Sequence, residues 1–172
     1  SSDENGIGLY VNGNNTNLTI AQGDHVNDQG EHKIVMHING ASNVINLTQY
    51  DSGSLTKHFF EGHIDGGSNT LDVIQRDNGQ KTLFLDIDNS NNDVDILQKD
   101  TGTHYLDVTL GGSQHEVDIT QQGAGNHAAR ISLVGYSTDF DLLQQGSTTQ
   151  SYELTNTCSN ALGCTINTTQ GN

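Results

Sequence analysis

A chain of 172 residues that is 31% hydrophobic and 5% aromatic, with no Trp and no Pro, can build one domain, but with a thin core. The formal net charge of −15, from 21 acidic against 6 basic residues, argues against the phosphate neutralisation that nucleic-acid binding needs and against anionic membrane surfaces. No apolar run approaches the length of a membrane-spanning helix, so membrane insertion is not expected.

In chain order, short segments alternate apolar and polar residues with a period of two. The first is Ile7, Leu9 and Val11, followed by Leu18-x-Ile20-x-Gln22. Ile34, Met36 and Ile38 then precede Ile45-x-Leu47-x-Gln49, and Phe60, Gly62 and Ile64 precede Leu71-x-Val73-x-Gln75. Leu83, Leu85 and Ile87 lead to Val94-x-Ile96-x-Gln98, and Leu106, Val108 and Leu110 to Val117-x-Ile119-x-Gln121. Ala129, Ile131 and Leu133 come before Phe140-x-Leu142-x-Gln144. Tyr152, Leu154 and Asn156, with Ile166-x-Thr168-x-Gln170, close the series if the Cys-bearing loop takes three extra residues.

The glutamines are 27, 26, 23, 23, 23 and 26 residues apart. A constant period with small insertions is the mark of a solenoid. Turn signals separate the segments: DNG, DTG and GAG on one side, DGGS and LGGS on the other. The expected fold is all-β: a parallel β-solenoid of about seven short rungs, two strands each, able to stack head to tail. Residues 1–172 form one domain, with a half-rung at 7–11, repeats starting near 18, 45, 71, 94, 117 and 140, and a terminal half-rung at 164–170. An antiparallel sandwich is the alternative, but hairpins do not require residue identity at a fixed period. In a solenoid, equivalent residues stack roughly 4.8 Å apart, and buried Gln suits such a column because each amide both donates and accepts. Gln22, Gln49, Gln75, Gln98, Gln121, Gln144 and Gln170 are therefore expected to form a structural ladder.

The strand ending in Gln before a Gly-rich turn resembles the curlin repeat of curli fibre subunits, which runs Ser-x5-Gln-x4-Asn-x5-Gln. The nearest match is Gln121-Gln122-Gly123-Ala124-Gly125-Asn126-His127-Ala128, with Gln and Asn at the family spacing. Ser stands before the strand at Ser42, Ser68, Ser113 and Ser137, further from the Gln than the family places it. The family's second Gln is replaced by Asp86, Thr109, Ser132 and Thr155, so this core is more aliphatic. The resemblance implies a secreted subunit, major or nucleator-like, that polymerises into amyloid-like fibres of a bacterial biofilm matrix. It also implies a nucleator and an outer-membrane secretion pore as partners. The chain starts SSDENG without a charged-then-apolar leader, so a secreted protein is expected here in mature form.

The series opens and closes on strands of opposite kind, so copies could add head to tail. Ile7, Leu9, Val11, Leu18 and Ile20 at one end would then meet strands bearing Ile166 and Thr168 at the other. Three residues before each Gln, the outward column reads Thr19, Asn46, Asp72, Asp95, Asp118, Asp141 and Asn167. Neighbouring carboxylates roughly 4.8 Å apart repel by about 1 kcal/mol even in water. Asp72, Asp95, Asp118 and Asp141 are thus a candidate weak cation column, for Ca²⁺ or another dication, while the column's ends are neutral. A second acidic column runs Asp24, Asp51, Asp77 and Asp100.

Cys158 and Cys164, close together in a polar loop, suit a local disulfide and an oxidising compartment, though free thiols fit the spacing too. No catalytic residues and no cofactor are expected: the same carboxylate in every rung is a structural pattern, and the small insertions build no cleft. The eight His include no HExxH; His37 and His63 occupy equivalent outward positions and could share a metal, or be an ordinary exposed pair. The sequons at Asn17 and Asn46 are read as incidental. The alternative function is a monomeric β-solenoid adhesin or a cation- or ligand-binding surface module, its terminal strands capped by parts of a longer protein.

Overall fold

The computed structural model describes residues 4–23, 30–51, 57–77, 79–99, 101, 103–146, 149–158 and 163–171. These residues fold as a parallel β-solenoid. Fourteen strands alternate between two seven-stranded sheets. The odd-numbered sheet contains β1 (Glu4–Asn12), β3 (Glu31–Asn39), β5 (Lys57–Asp65), β7 (Gln80–Asp88), β9 (His104–Ser113), β11 (His127–Tyr136) and β13 (Gln150–Cys158). The even-numbered sheet contains β2 (Asn17–Gln22), β4 (Val44–Asp51), β6 (Thr70–Asp77), β8 (Asp93–Gln98), β10 (Glu116–Gln121), β12 (Asp139–Gln144) and β14 (Thr165–Gln170).

Each strand pairs in parallel with the strand one coil away, and the register keeps the glutamines in line from Gln22↔Gln49 to Gln144↔Gln170. The three extra residues of the last coil fall between β13 and β14: Ala129, Ile131 and Leu133 pair with Tyr152, Leu154 and Asn156 at the ordinary period of 23, whereas Gln144 pairs with Gln170, 26 residues on. Parallel neighbours in both sheets require a crossover between them, and here the opposite sheet supplies it.

The alternation in sequence becomes an inside and an outside. In β7 and β5 every second residue is buried, and the inner faces of the two sheets meet in one core. Leu83, Ile87, Leu106, Val108 and Val94 have no more than 0% exposure, so the interior coils have native packing on every side. Gly62 shows how tight this is. A Cβ there would lie 2.7 Å from Phe60 Cζ, so the Phe60 ring fills the space that Met36 and Leu85 fill in adjacent coils.

The corners obey a different rule. Asn15, Ser42, Ser68, Asn91, Gln114 and Ser137 all adopt φ between 54° and 61°, and Gly163 has φ 62° in the same column. A left-handed residue there turns the chain from one sheet to the other, and its N–H donates to the next coil, as from Ser68 to Ser90 O at 3.1 Å. Ser42, Ser68 and Ser137 are therefore turn residues. At the opposite corner, Gly146 has φ 111°, and a Cβ on it would lie 2.0 Å from the Gly123 carbonyl oxygen. Glycine is required there by both dihedral and space.

Candidate functional site: polar ladders and open sheet edges

The glutamines form a continuous ladder. Nε2 of Gln49, Gln75, Gln98, Gln121, Gln144 and Gln170 donates to Oε1 of the preceding Gln, at 3.0, 2.9, 3.0, 3.0, 2.9 and 2.9 Å. The same amides donate across the core to backbone carbonyls of the other sheet: Gln75 to Thr82, Gln98 to Tyr105, Gln121 to Ala128 and Gln144 to Ser151. An interior Gln thereby uses both N–H donors and its carbonyl, which removes the penalty of burying an amide. All donors point towards the N-terminal end, so the ladder has polarity. Gln22 Nε2, which reaches Asn5 O and Lys33 O, is its donor end, and Gln170 Oε1 is its acceptor end.

Two further polar columns share this period and were not singled out from the sequence. Six residues before the Gln stand Asn43, Asn69 and Asn92, all buried. Asn43 Oδ1 accepts from Thr16 N at 2.9 Å, Asn69 Oδ1 from Asn43 N at 2.9 Å, and Asn92 Oδ1 from Asn69 N at 3.0 Å. His115 continues the column, with Nε2 3.1 Å from Gly111 O, and burial pushes its pKa below the ordinary value. Seventeen residues before the Gln stand His32, His58, Lys81, His104 and His127, each no more than 1% exposed. The rings of His32 and His58 stack at 5.5 Å, those of His104 and His127 meet at 4.8 Å, and Lys81 Nζ donates to Gly79 O at 3.0 Å. Desolvation also lowers the pKa of His127. Extending the count from Gln to polar residues is the signal that finds both columns.

Among the described residues both sheets end in edge strands paired on one side only: β1 and β2 at one end, β13 and β14 at the other. Their inward residues form an incomplete core. Ile7, Leu9, Leu18, Ile20, Leu154 and Ile166 are only partly buried, Val11 is 9% exposed, and Thr168 is half-buried. Tyr10 and Tyr152, at opposite ends of the odd-numbered sheet, are among the most exposed large side chains, at 63% and 44%.

The acidic column lies on the outer face of the even-numbered sheet, where Asp72, Asp95, Asp118 and Asp141 are lateral neighbours. Asp93, Glu116 and Asp139 run beside it. Partial burial raises the pKa of Asp72, Asp95 and Asp118. For Asp95, the charges of Asp93, Asp118 and Asp72 add to desolvation; for Asp118, those of Asp141, Asp139 and Asp93 do. At the column's C-terminal end, Asn167 Nδ2 donates to Asp141 Oδ1 at 2.6 Å, so an uncharged residue ends the run. In the second acidic column, Asp24, Asp100 and the side chains of Asp51 and Asp77 lie outside the described residues. Cys158 and Cys164 are joined in a disulfide that ties β13 to the start of β14.

No family model, curated protein or solved structure matches this chain.

Proposed function

We propose that this chain is a structural subunit of an extracellular, curli-type fibre of a bacterial biofilm matrix, polymerising by end-to-end stacking of the solenoid. The observation that carries this reading is the complementarity of the two ends. The β13 and β14 edges of one copy present the strands that β1 and β2 of the next would extend, in parallel, with both sheets running through the junction. At that junction Gln22 Nε2 of one copy finds Gln170 Oε1 of the other, and the half-covered Leu154 and Ile166 meet Leu9 and Leu18. Neutral Asn167 and Thr19 keep the carboxylate repulsion away from the contact. The resemblance to the curlin repeat supplies the expected setting: secretion through an outer-membrane pore and growth from a nucleator. The Cys158–Cys164 disulfide suits that extracellular setting.

The test is growth of thioflavin-T-positive fibres by the full chain, with electron microscopy and fibre diffraction. Fibres should give a reflection near 4.8 Å along the axis, because the strands lie across it. Ile166→Lys places a charge on the inward face of the terminal strand, where it is only partly covered, and should lengthen the lag at least tenfold while circular dichroism stays that of the parent. A full chain that remains monomeric for days at tens of micromolar would sink the proposal, and a capped adhesin module would replace it.

A further inference from the structure

The His and Asp side chains on the outer face of the odd-numbered sheet do not follow the repeat. His37 on β3 pairs laterally with His63 on β5, and His63 with Asp86 on β7. Asp65 lies two residues beyond His63 and so on the same face. One coil further the two columns become Thr109 and Gly111, then Ser132 and Val134. A structural ladder would continue; this cluster is confined to three strands.

Its donor atoms converge. His37 Nε2 is 3.4 Å, and His63 Nε2 3.2 Å, from the same oxygen, Asp65 Oδ2. A tetrahedral ion with metal–ligand distances of roughly 2.0–2.1 Å holds its donors about 3.3 Å apart, so these separations are the edges of such a tetrahedron. The other ring nitrogen of His63, Nδ1, is 3.2 Å from Asp86 Oδ2. A carboxylate on the far nitrogen is the usual support of a metal-bound imidazole, since it sets the tautomer that leaves Nε2 free to ligate. The rings are also held in place from the side: Tyr10 stacks on His37 at 5.1 Å, and His37 lies 4.9 Å from His63. His37, His63 and Asp65 are 39%, 35% and 39% exposed, which admits an ion and leaves it water as a further ligand.

We propose that His37, His63 and Asp65 form a binding site for a divalent transition-metal ion of borderline softness, such as Zn²⁺, with Asp86 as the positioning carboxylate of His63. Two imidazoles and one carboxylate favour such an ion over Ca²⁺, which takes oxygen ligands almost throughout. Asp88, beside Asp65 on β7, adds negative charge without being needed as a ligand. Its ligands sit on β3 and β5, whose sheet pairing is complete within one copy, so metal binding is tested independently of fibre growth.

The experiment is a Zn²⁺ titration of the chelator-stripped full chain against a chromophoric chelator, in excess Ca²⁺. One Zn²⁺ per chain is expected. His37→Ala and His63→Ala should each weaken binding by more than about hundredfold, beyond the loss caused by removing a supporting carboxylate. Asp86→Asn should weaken it by about 10–100-fold and keep the stoichiometry. Asp141→Asn, on the opposite outer face, should change nothing. Circular dichroism of each variant verifies the fold, which these outward side chains do not build. No uptake by the parent chain, displacement of Zn²⁺ by Ca²⁺, or equal binding by the parent and His63→Ala would overturn the proposal. The His–Asp contacts would then be surface ion pairs only.

Discussion

The interior coils and the terminal coils are built from the same repeat, yet they are in different states. Gln75, Gln98, Gln121 and Gln144 are 0% exposed, Gln22 is 6% exposed, and Gln170 is open to solvent. The apolar columns follow the same gradient, from Leu83 and Leu106 at 0% to half-covered Ile7 and Ile166. A rung cannot complete its own core: each inward side chain is covered partly by the coil above and partly by the coil below. The end coils therefore contribute less to the stability of a single copy and hold surface that a second copy can cover.

The most severe way to break the interior is Phe60→Ala. Phe60 fills its own place and the vacancy over Gly62, so its removal should cost about 3–5 kcal/mol in chemical denaturation, against less than about 1.5 kcal/mol for Ile166→Val on the terminal strand. Equal losses for Ile166→Val and for the same change at the interior Ile131 would mean that the ends are as well packed as the middle. The amide ladder sharpens the comparison at the next level. Gln98→Ala leaves Gln75 Oε1 without its ladder donor and Gln121 Nε2 without its ladder acceptor, at a cost of about 2–4 kcal/mol. Gln170→Ala removes one bond at an exposed end and should cost a single copy less than about 1 kcal/mol, while slowing any fibre growth.

The acidic column gives the smallest effect, and one that depends on pH. Folding raises the pKa of Asp72, Asp95 and Asp118 above 3.8, so the folded chain binds these protons more tightly than the unfolded one. Their charged forms penalise the fold at neutral pH, and the penalty is relieved as pH falls through the folded values towards 3.8. His115 and His127 act in the opposite sense. Burial lowers their pKa below 6.5, so the stability of their neutral forms is lost as pH falls from 6.5 through the folded values. Replacing Asp72, Asp95 and Asp118 together by Asn should raise the melting temperature at pH 7.5 by about 2–4 °C and leave a steeper loss of stability in acid. Parallel melting-temperature profiles for the two chains would show that the column does not strain the fold. A dication that stabilises the parent more than the Asn variant would identify the column as a weak cation binder.

How much could be foreseen differs between strand and corner. In β7, Leu83, Leu85 and Ile87 alternate with outward residues, and spacing alone places them inside. Asn69 and His104 are in phase with the inward residues, two before Leu71 and Leu106, but they are polar, so a pattern of apolar residues passes over them although both are buried. Their two columns emerge only when polar residues are counted from the Gln. The shift of the serines to the turn position has a similar origin: Ser42 and Ser68 adopt the left-handed conformation, while the inward place beside them is held by Asn43 and Asn69.

The sequence by itself determined the repeat, the two-strand rung and the inward apolar and Gln columns, because a period of two and a near-constant period of 23 admit few other packings. Only the tertiary structure decided which distant groups share a point in space. Strand pairing sets His37 beside His63, the strand's own pleat brings Asp65 to the same face, and rotamers aim both Nε2 atoms at one oxygen. It likewise decided that every amide of the ladder points the same way. Direction is a property of the hydrogen-bonded stack, and no single repeat contains it.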